Sequence, residues 1–172
     1  MILHISYKIK VQTLLSILAN IIVLKENYLM KINKDIKISD QDEPFIIAEA
    51  GINHDGNFDK AIELVDLAVN SGASAIKFQT HITDMEMIPT DMKPGNISDE
   101  SLWDIIDRCV LNESQEKELF EYAKDKEILF FSTPFSREGA DRLNDLGVEL
   151  FKIGSGECNN LPLLNHVANF KK

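Results

Sequence analysis

Short apolar runs alternate with longer segments of helical periodicity along the chain after Pro44. Residues 45–48 form a continuous apolar run directly after that proline, which predicts a strand buried on both faces of a sheet. Further apolar runs predict more strands, and the predicted strands cover residues 45–48, 73–78, 128–131 and 150–153. The segments between them carry apolar residues three or four positions apart, which is typical of amphipathic helices.

Polar residues with capping chemistry mark where the predicted helices begin. Asn112 and Gln115 give the clearest signal, because they have the spacing of a capping box. Glycines at positions 72 and 147 are suited to end two of the helices. The predicted helices begin at or directly after Asn57, Ser98, Asn112, Ser136 and Asn160.

The order of these elements predicts an α/β fold. Strand and helix alternate four times between residues 44 and 172, which indicates a parallel sheet with crossover helices. Two architectures satisfy this order: a doubly wound open sheet, and a partial (β/α)8 TIM barrel of about the first four βα units. Periodicity alone does not separate them.

Residues 1–43 predict an N-terminal extension that is separate from the α/β domain at 44–172. Residues 11–24 are mostly apolar and follow Lys8 and Lys10, but this run is shorter than the roughly 20 residues that span a bilayer. Three interpretations remain: a misassigned start with the true start at Met30, a docking helix or arm, and a signal or anchor segment.

Charge and cysteine content narrow the class of function. The formal net charge of -10 disfavours a nucleic-acid-binding protein, because such proteins present basic surfaces. An acidic chain can still bind a small anion where a few lysines converge. The two cysteines are too few for a zinc motif or a disulfide framework, and they fit a reducing, cytoplasmic setting.

Polar residues follow or interrupt every predicted strand. Parallel strands place their carboxyl ends on one rim, where ligands bind in α/β proteins. Lysines and hydroxyls at such a rim can hold a phosphate and a carboxylate, and carboxylates can orient sugar hydroxyls or move protons. The candidate site residues are Glu49, Lys77, Gln79, Thr133, Lys152, Ser155 and Glu157.

Several candidates also have a structural interpretation. Lys77 and Lys152 are the hardest to explain structurally, because lysines inside apolar strands are rare unless they are paired. Glu49 could simply form a salt bridge to one of those lysines. For the others, the structural interpretations are strand-end hydrogen bonding by Gln79, a turn at Thr133 and a helix-start carboxylate at Glu157.

Two segments carry a resemblance to a known family. FIIAEAGINHDGNFDKAIELVDLAVNSGASAIKFQTH and FFSTPFSREGADRLNDLGVELFKIGSGECNNLPLL resemble the bacterial N-acetylneuraminate (sialic acid) synthase family, with the motifs in the family order. The resemblance spans roughly residues 44–170, and the KIGSGECNN version looks closest to synthases that make N-acetylneuraminate. It implies the first half of a (β/α)8 barrel rather than a doubly wound sheet.

The resemblance also implies roles for the candidate residues. Four match positions that hold phosphoenolpyruvate: Lys77, Thr133, Lys152 and Ser155. Three match positions that face the sugar: Glu49, Gln79 and Glu157. Of these three, Glu49 and Glu157 are the candidate catalytic carboxylates, with Glu157 implicated in proton handling.

The implied reaction joins phosphoenolpyruvate to open-chain N-acetylmannosamine and gives N-acetylneuraminate and phosphate. Carbon C3 of phosphoenolpyruvate attacks the sugar aldehyde, water attacks C2, and phosphate leaves by C–O cleavage. The family uses a divalent metal ion, manganese or magnesium, held by two histidines. Its members form domain-swapped homodimers through a small antifreeze-like domain.

The 172 residues depart from the family pattern. Strands five to eight, the two metal-binding histidines and the antifreeze-like domain have no counterpart in the sequence. We therefore expect no turnover from this chain alone, and a separately encoded C-terminal half is one candidate partner.

Alternative functions are a legionaminic or pseudaminic acid synthase and a non-catalytic half-barrel that is a remnant or binds a partner. A synthase for 3-deoxy sugar acids of lipopolysaccharide is a further rival, against which the GINHDG and SGECNN motifs argue.

Overall fold

The computed structural model describes residues 29–33, 35–39, 41–95 and 98–172. The chain divides into two compact units, Met1–Glu43 and Pro44–Lys172. The apolar run at 11–24, with its three interpretations, lies outside the described residues. Within the described ranges, no helix is both long and apolar enough to cross a membrane.

In the first unit, the described residues form an antiparallel hairpin. Strands β1 (Leu29–Lys31) and β2 (Lys37–Ser39) pair with Met30 opposite Ile38. The turn between them is held by Asn33, whose Oδ1 accepts hydrogen bonds from the backbone N–H groups of Asp35 and Ile36 at 2.9 and 2.7 Å. This Asn side chain supplies the local hydrogen bonds that a tight connection needs.

The second unit is an α/β domain with a parallel sheet, as the alternation of elements predicts. Strands β3 (Ile47–Gly51), β4 (Ala75–Thr80) and β5 (Leu129–Pro134) lie in the order β3-β4-β5, and both strand pairs are parallel. The helices are α1 (Phe58–Asn70), α2 (Thr83–Glu86), α3 (Leu102–Arg108), α4 (Glu113–Asp125), α5 (Arg137–Leu146) and α6 (Leu161–Ala168). A 3-10 turn at Ser155–Glu157 precedes α6.

Four of the predicted helix starts are confirmed by capping hydrogen bonds. The capping box at α4 is complete, because Asn112 Oδ1 accepts from Gln115 N and Gln115 Oε1 accepts from Asn112 N, both at 3.0 Å. The side chains of Asn57, Ser136 and Asn160 accept from the backbone N–H three residues further on. Gly147 ends α5 in the left-handed conformation, with φ of 87°.

The hydrophobic core lies between the sheet and the helices. Ile76 and Phe78 of β4 and Phe130 of β5 point to the same side and are buried. Val65 of α1, Leu119 of α4 and Leu143 of α5 belong to the same buried cluster. One face of the sheet therefore packs against the helices, and the side chains that alternate with these core residues lie on the opposite face.

Three of the predictions about elements need correction. The first strand begins at Ile47 rather than at residue 45, and burial on both faces is wrong, since Ile46 and Ile47 are 56% and 46% exposed. Within the described sheet β3 pairs only with β4, so one of its edges is uncovered. The helix expected at Ser98 begins at Leu102, because Ser101 provides the cap by accepting from Asp104 N. The fourth strand is reduced to a single parallel bridge between Ser132 and Phe151.

Candidate functional site

The alternation of side chains along the strands creates a polar face on the sheet. Because Ile76 and Phe78 point toward the helices, Lys77 and Gln79 point to the opposite side. The register pairs Gln79 with Thr133, so Thr133 shares that side. We call this side, opposite the helices, the site face.

Lys77 is the most enclosed charged residue on the site face. It is 8% exposed, and its Nζ lies 2.6 Å from Glu49 Oε2 and 2.8 Å from Glu49 Oε1. The two residues are direct partners in the β3–β4 register. Glu49 therefore forms the salt bridge to a lysine that its structural interpretation predicts. Even so, 58% of the Glu49 side chain remains exposed.

A bulge at the end of β3 gathers Glu49 and Gln79. Glu49 pairs with Lys77 and Gly51 with Phe78, so Ala50 is the additional residue on β3. Gly51 has φ of 53°, and a Cβ on it would lie 3.5 Å from Glu49 Oε1 and 3.7 Å from Gln79 Nε2. The absence of a side chain at Gly51 therefore leaves a small open space between the carboxylate and the amide.

Lys152 adds a second cation to the site face. Phe151 forms the parallel bridge with Ser132 and packs against the core on the helix side, so the next residue, Lys152, points to the same side as Thr133. Lys152 N donates to Ser132 O at 3.1 Å, and Lys152 Nζ donates to the carbonyl of Ile153 at 2.6 Å. Lysines 77 and 152 therefore stand on strand segments to either side of β5.

The turn after Lys152 brings Glu157 toward Thr133. A Cβ on Gly154 would lie 3.4 Å from Thr133 Cγ2 and 3.7 Å from Glu157 Cγ, so both side chains border Gly154. Asn160 Nδ2 donates to Glu157 Oε2 at 2.6 Å, which ties the carboxylate to the start of α6. Ser155 lies at the exposed beginning of the 3-10 turn.

The structure thus brings most of the candidates together. Residues from four strand segments share the site face: Glu49, Lys77, Gln79, Thr133 and Lys152. Glu157 adjoins this set at Thr133, and Ser155 stands at its exposed end. Two ammonium groups, two carboxylates, an amide and hydroxyls can bind an anion together with a polyol. The individual roles stay predictions.

The sequence suggests that His81 lies on a surface loop, but this is wrong, because His81 is buried behind Gln79. His81 Nε2 lies 3.1 Å from Gln79 Oε1, and His81 Nδ1 lies 2.7 Å from Glu86 Oε1. The imidazole stacks on Phe135, with ring centroids 4.4 Å apart and an angle of 11° between the planes. The available signal was spacing, since His81 follows Gln79 by two residues and continues the same side of the strand.

A second polar cluster lies on the helix side of the sheet. Thr80 Oγ1 contacts Ser132 Oγ at 2.8 Å and donates to Glu116 Oε1, and Arg142 Nη1 lies 3.4 Å from Glu116 Oε2. Burial raises the pKa of Glu116 above its usual value, although the Thr80 hydrogen bond and the Arg142 charge oppose that shift. Glu116 sits on the buried side of α4, where the helical pattern predicts an apolar residue.

His54 has the turn-stabilising role that its Asn-His-Asp-Gly context allows. The ring is buried, and His54 Nδ1 accepts a hydrogen bond from Gly56 N at 3.1 Å. Burial lowers the pKa of His54 below its usual 6.5, and the charge of His81 lowers that pKa further. These contacts hold His54 inside the turn rather than on the site face.

The described residues do not fit the manganese or magnesium ion that the resemblance implies. No group of three or more His, Cys, Asp or Glu side chains within the described ranges could hold a metal ion. The described imidazoles are already engaged: His81 with Gln79 and Glu86, His54 with Gly56, and His166 with Asp141.

Comparison with known proteins identifies relatives of this chain. Over 133 residues it is 41% identical to the N,N'-diacetyllegionaminic acid synthase of Campylobacter jejuni, covering 74% of this chain and 40% of that protein. It is 38% identical to the spore coat polysaccharide biosynthesis protein SpsE of Bacillus subtilis, covering 74% of this chain and 35% of the relative. The chain therefore spans about two fifths of the length of the curated relatives it matches.

A solved structure and a family profile agree with these relatives. The N-acetylneuraminic acid (sialic acid) synthetase of Leptospira borgpetersenii superposes with a TM-score of 0.69 at 31% identity, covering 83% of this chain and 46% of that one. The profile described as NeuB family matches residues 64–172, which hold six of the seven candidate residues. The chain belongs to the NeuB family.

Proposed function

We propose that residues 44–172 bind phosphoenolpyruvate and part of an amino sugar in a condensation that gives N-acetylneuraminate and phosphate. The relatives support this proposal, because they are named as synthases of sialic and legionaminic acids. A partial (β/α)8 barrel of about four βα units is part of the proposal, as is a cytoplasmic location in keeping with the two free thiols.

The observation that carries the proposal is the environment of Lys77. Its side chain is only 10% exposed, yet the side chain of its ionic partner, Glu49, is mostly in solvent. A pair with one exposed member contributes little to stability, so the pair alone does not account for burying a lysine. An ammonium group has three N–H donors, and among the described residues only Glu49 accepts a hydrogen bond from Lys77 Nζ. The remaining donors are free to bind an anion.

The site face supplies charges that match phosphoenolpyruvate. Lysines 77 and 152 can neutralise its phosphate and carboxylate, and the hydroxyls of Thr133 and Ser155 can donate to the same oxygens. Holding the anion between strand segments also fixes the orientation of its C3 carbon toward a second substrate.

The carboxylates and the amide of the site face are the candidates for contacting the sugar and for moving protons. A C–C bond forms between C3 and the aldehyde carbon, and the aldehyde oxygen takes up a proton. Water then adds to C2 and loses a proton, and the bond between C2 and the phosphate oxygen breaks to leave a ketone. Glu49 and Glu157 border the site face and are the candidates for these proton transfers. Gln79 is the candidate for binding a sugar oxygen.

One observation favours a second substrate. The chain is 41% identical to the Campylobacter jejuni N,N'-diacetyllegionaminic acid synthase, against 31% for the Leptospira sialic acid synthetase. The alternative acceptor is therefore an amino sugar that carries two acetamido groups. The condensation chemistry and the proposed anion site would be the same for both acceptors.

Binding of phosphoenolpyruvate tests the proposal directly. We expect titration calorimetry of the 172-residue chain to show binding that Lys77→Met weakens by tenfold or more, about the loss of one charge-assisted hydrogen bond. Lys117→Met is the matched control, because that lysine is exposed on α4 and paired only with Glu121 within the described residues. Equal affinities for wild type and Lys77→Met would contradict the proposed anion site.

The same samples distinguish the two acceptors. N-acetylmannosamine and a sugar with two acetamido groups would be titrated in the presence of phosphoenolpyruvate, and the tighter ligand identifies the substrate class. Formation of sialic acid by the purified chain alone would contradict the expectation that this chain does not turn over by itself.

A further inference from the structure

The amide of Gln79 is held from behind by a buried imidazole and a carboxylate. His81 is 5% exposed and contacts Gln79 Oε1 through Nε2 and Glu86 Oε1 through Nδ1. Stacking on Phe135 fixes the plane of the ring. The His81 ring cannot rotate away from one partner without losing the other, so the two contacts hold the ring in one orientation.

The surroundings of Gln79 decide which end of its amide faces His81. Gln79 Nε2 and Glu49 Oε1 lie within 3.7 and 3.5 Å of the same point, the Cβ position of Gly51. The two side chains therefore border the same small space, where an N–H donor is favourable and a carbonyl oxygen would be repelled by the carboxylate. Gln79 Oε1 therefore faces His81, and the NH2 group faces the space beside Gly51.

These contacts require two protons on the His81–Glu86 pair. Nε2 must carry a hydrogen to donate to Gln79 Oε1, and the 2.7 Å contact needs a second hydrogen between Nδ1 and Glu86 Oε1. With two protons the pair is neutral overall. With one, it would leave a buried negative charge, which is costly without a partner.

The packing around the pair supports the neutral arrangement. Glu86 Oε2 is buried and has no hydrogen-bond partner among the residues that the structure describes. Among the described residues, His54 and Glu116 are the titratable groups on other elements whose pKa values respond to the charge of His81. Burial lowers the pKa of His54 and raises the pKa of Glu116, so neither supplies a fixed positive charge to offset a bare carboxylate.

We infer that His81 and Glu86 are positioning residues, which turn the NH2 group of Gln79 toward the acceptor. Gln79 then presents two N–H donors and selects an oxygen on the ligand, such as a hydroxyl or an acetamido carbonyl. The identity of that acceptor rests on the proposed function. The orientation of Gln79 rests on the geometry around it.

Nuclear magnetic resonance of the chain labelled with 15N-histidine tests the orientation without any ligand. The signals of His81 are assigned by their loss in His81→Gln. We expect His81 Nε2 to carry a directly bonded hydrogen. An Nε2 without a hydrogen would require Gln79 to turn its NH2 group toward the ring, and that result would overturn the inference.

Ligand binding separates a positioning role from a structural one. His81→Phe keeps a ring to stack on Phe135 but removes both nitrogens, so N-acetylmannosamine should bind about tenfold more weakly. Phosphoenolpyruvate should bind to this variant within about twofold of wild type, because its proposed contacts are the lysines. His81→Gln retains an N–H donor and should recover most of the lost affinity.

The outcomes are distinct for the two proposals. Equal weakening of both ligands, or equal loss in His81→Phe and His81→Gln, would indicate a structural role and overturn the inference. If the wild-type chain does not bind N-acetylmannosamine, the acceptor in the proposed function is wrong. The resonance measurement still decides the orientation of Gln79 in that case.

Discussion

Lys77 Nζ lies 2.6 Å from Glu49 Oε2 across the β3–β4 pair, yet the two side chains have opposite environments. The lysine is enclosed, while the carboxylate is mostly in solvent. Because the pair is weak and Glu49 is already mostly solvated, the carboxylate can move away from Lys77 at little cost in free energy. Glu49 can therefore serve as a counterion that a bound anion replaces beside Lys77.

A double-mutant cycle measures how strongly this pair stabilises the fold. We expect a coupling of about 1 kcal/mol or less between Lys77→Met and Glu49→Gln, because an ion pair with one exposed member is weak. Lys77→Met alone should leave the free energy of unfolding within about 1 kcal/mol of wild type, since Met fills the space without a buried charge. Urea denaturation gives all four values. A coupling of about 3 kcal/mol or more would identify a structural salt bridge instead.

Gly56 and Gly72 form a matched pair for testing the loop before α1. Both have positive φ, 75° and 76°, but a Cβ on Gly56 would overlap the carbonyl oxygen of Arg108 while one on Gly72 meets nothing within 4 Å. Gly72→Ala should destabilise by about 1 kcal/mol from its backbone conformation alone. Gly56→Ala should cost clearly more, because the loop must also move away from α3. Thermal unfolding of the two variants checks this, and equal losses would contradict the close approach.

His54 should make the fold less stable in acid. Its pKa is lowered in the folded state by burial, so between the folded value and 6.5 the unfolded chain binds more protons. The free energy of unfolding therefore rises with pH across that window and falls on acidification below 6.5. His54→Asn should reduce this slope, since Asn Oδ1 can accept from Gly56 N but does not titrate. Urea midpoints measured against pH test this, and parallel curves for both proteins would refute it.

Glu116 should contribute a trend of the opposite sign. Burial raises its pKa above 4.5, so the folded chain holds a proton that the unfolded chain has lost, and stability falls as pH rises from 4.5 through the folded value. Glu116→Gln cannot titrate, and its stability relative to wild type should therefore increase as pH rises from 4.5 through the folded pKa of Glu116. Glu118→Gln, an exposed position on the same helix, is the control. A constant difference for Glu116→Gln would show that its carboxyl is not perturbed.

Much of the fold could be predicted because its signals are local. Asn112 and Gln115 form a capping box through contacts three residues apart, and the parallel sheet follows from the order of strands and helices. The common side of Lys77, Gln79 and Thr133 follows from strand parity once the register is known.

What could not be predicted depends on contacts that are distant in sequence. The bulge at Ala50 alters the register between β3 and β4, and the exposure of Ile46 and Ile47 depends on which strands are neighbours. His81 is buried because Phe135, from the segment after β5, stacks on its ring. The sequence around His81 therefore does not predict its burial.

The sheet separates two polar systems that are interleaved in the sequence. Lys77 and Gln79 belong to the site face, while Thr80 belongs to the cluster with Ser132 and Glu116 on the helix side. Substitutions at alternate positions therefore act on different sides of one backbone layer. Residues of the site face can therefore change the ligand preference, while residues on the helix side of the sheet maintain the fold.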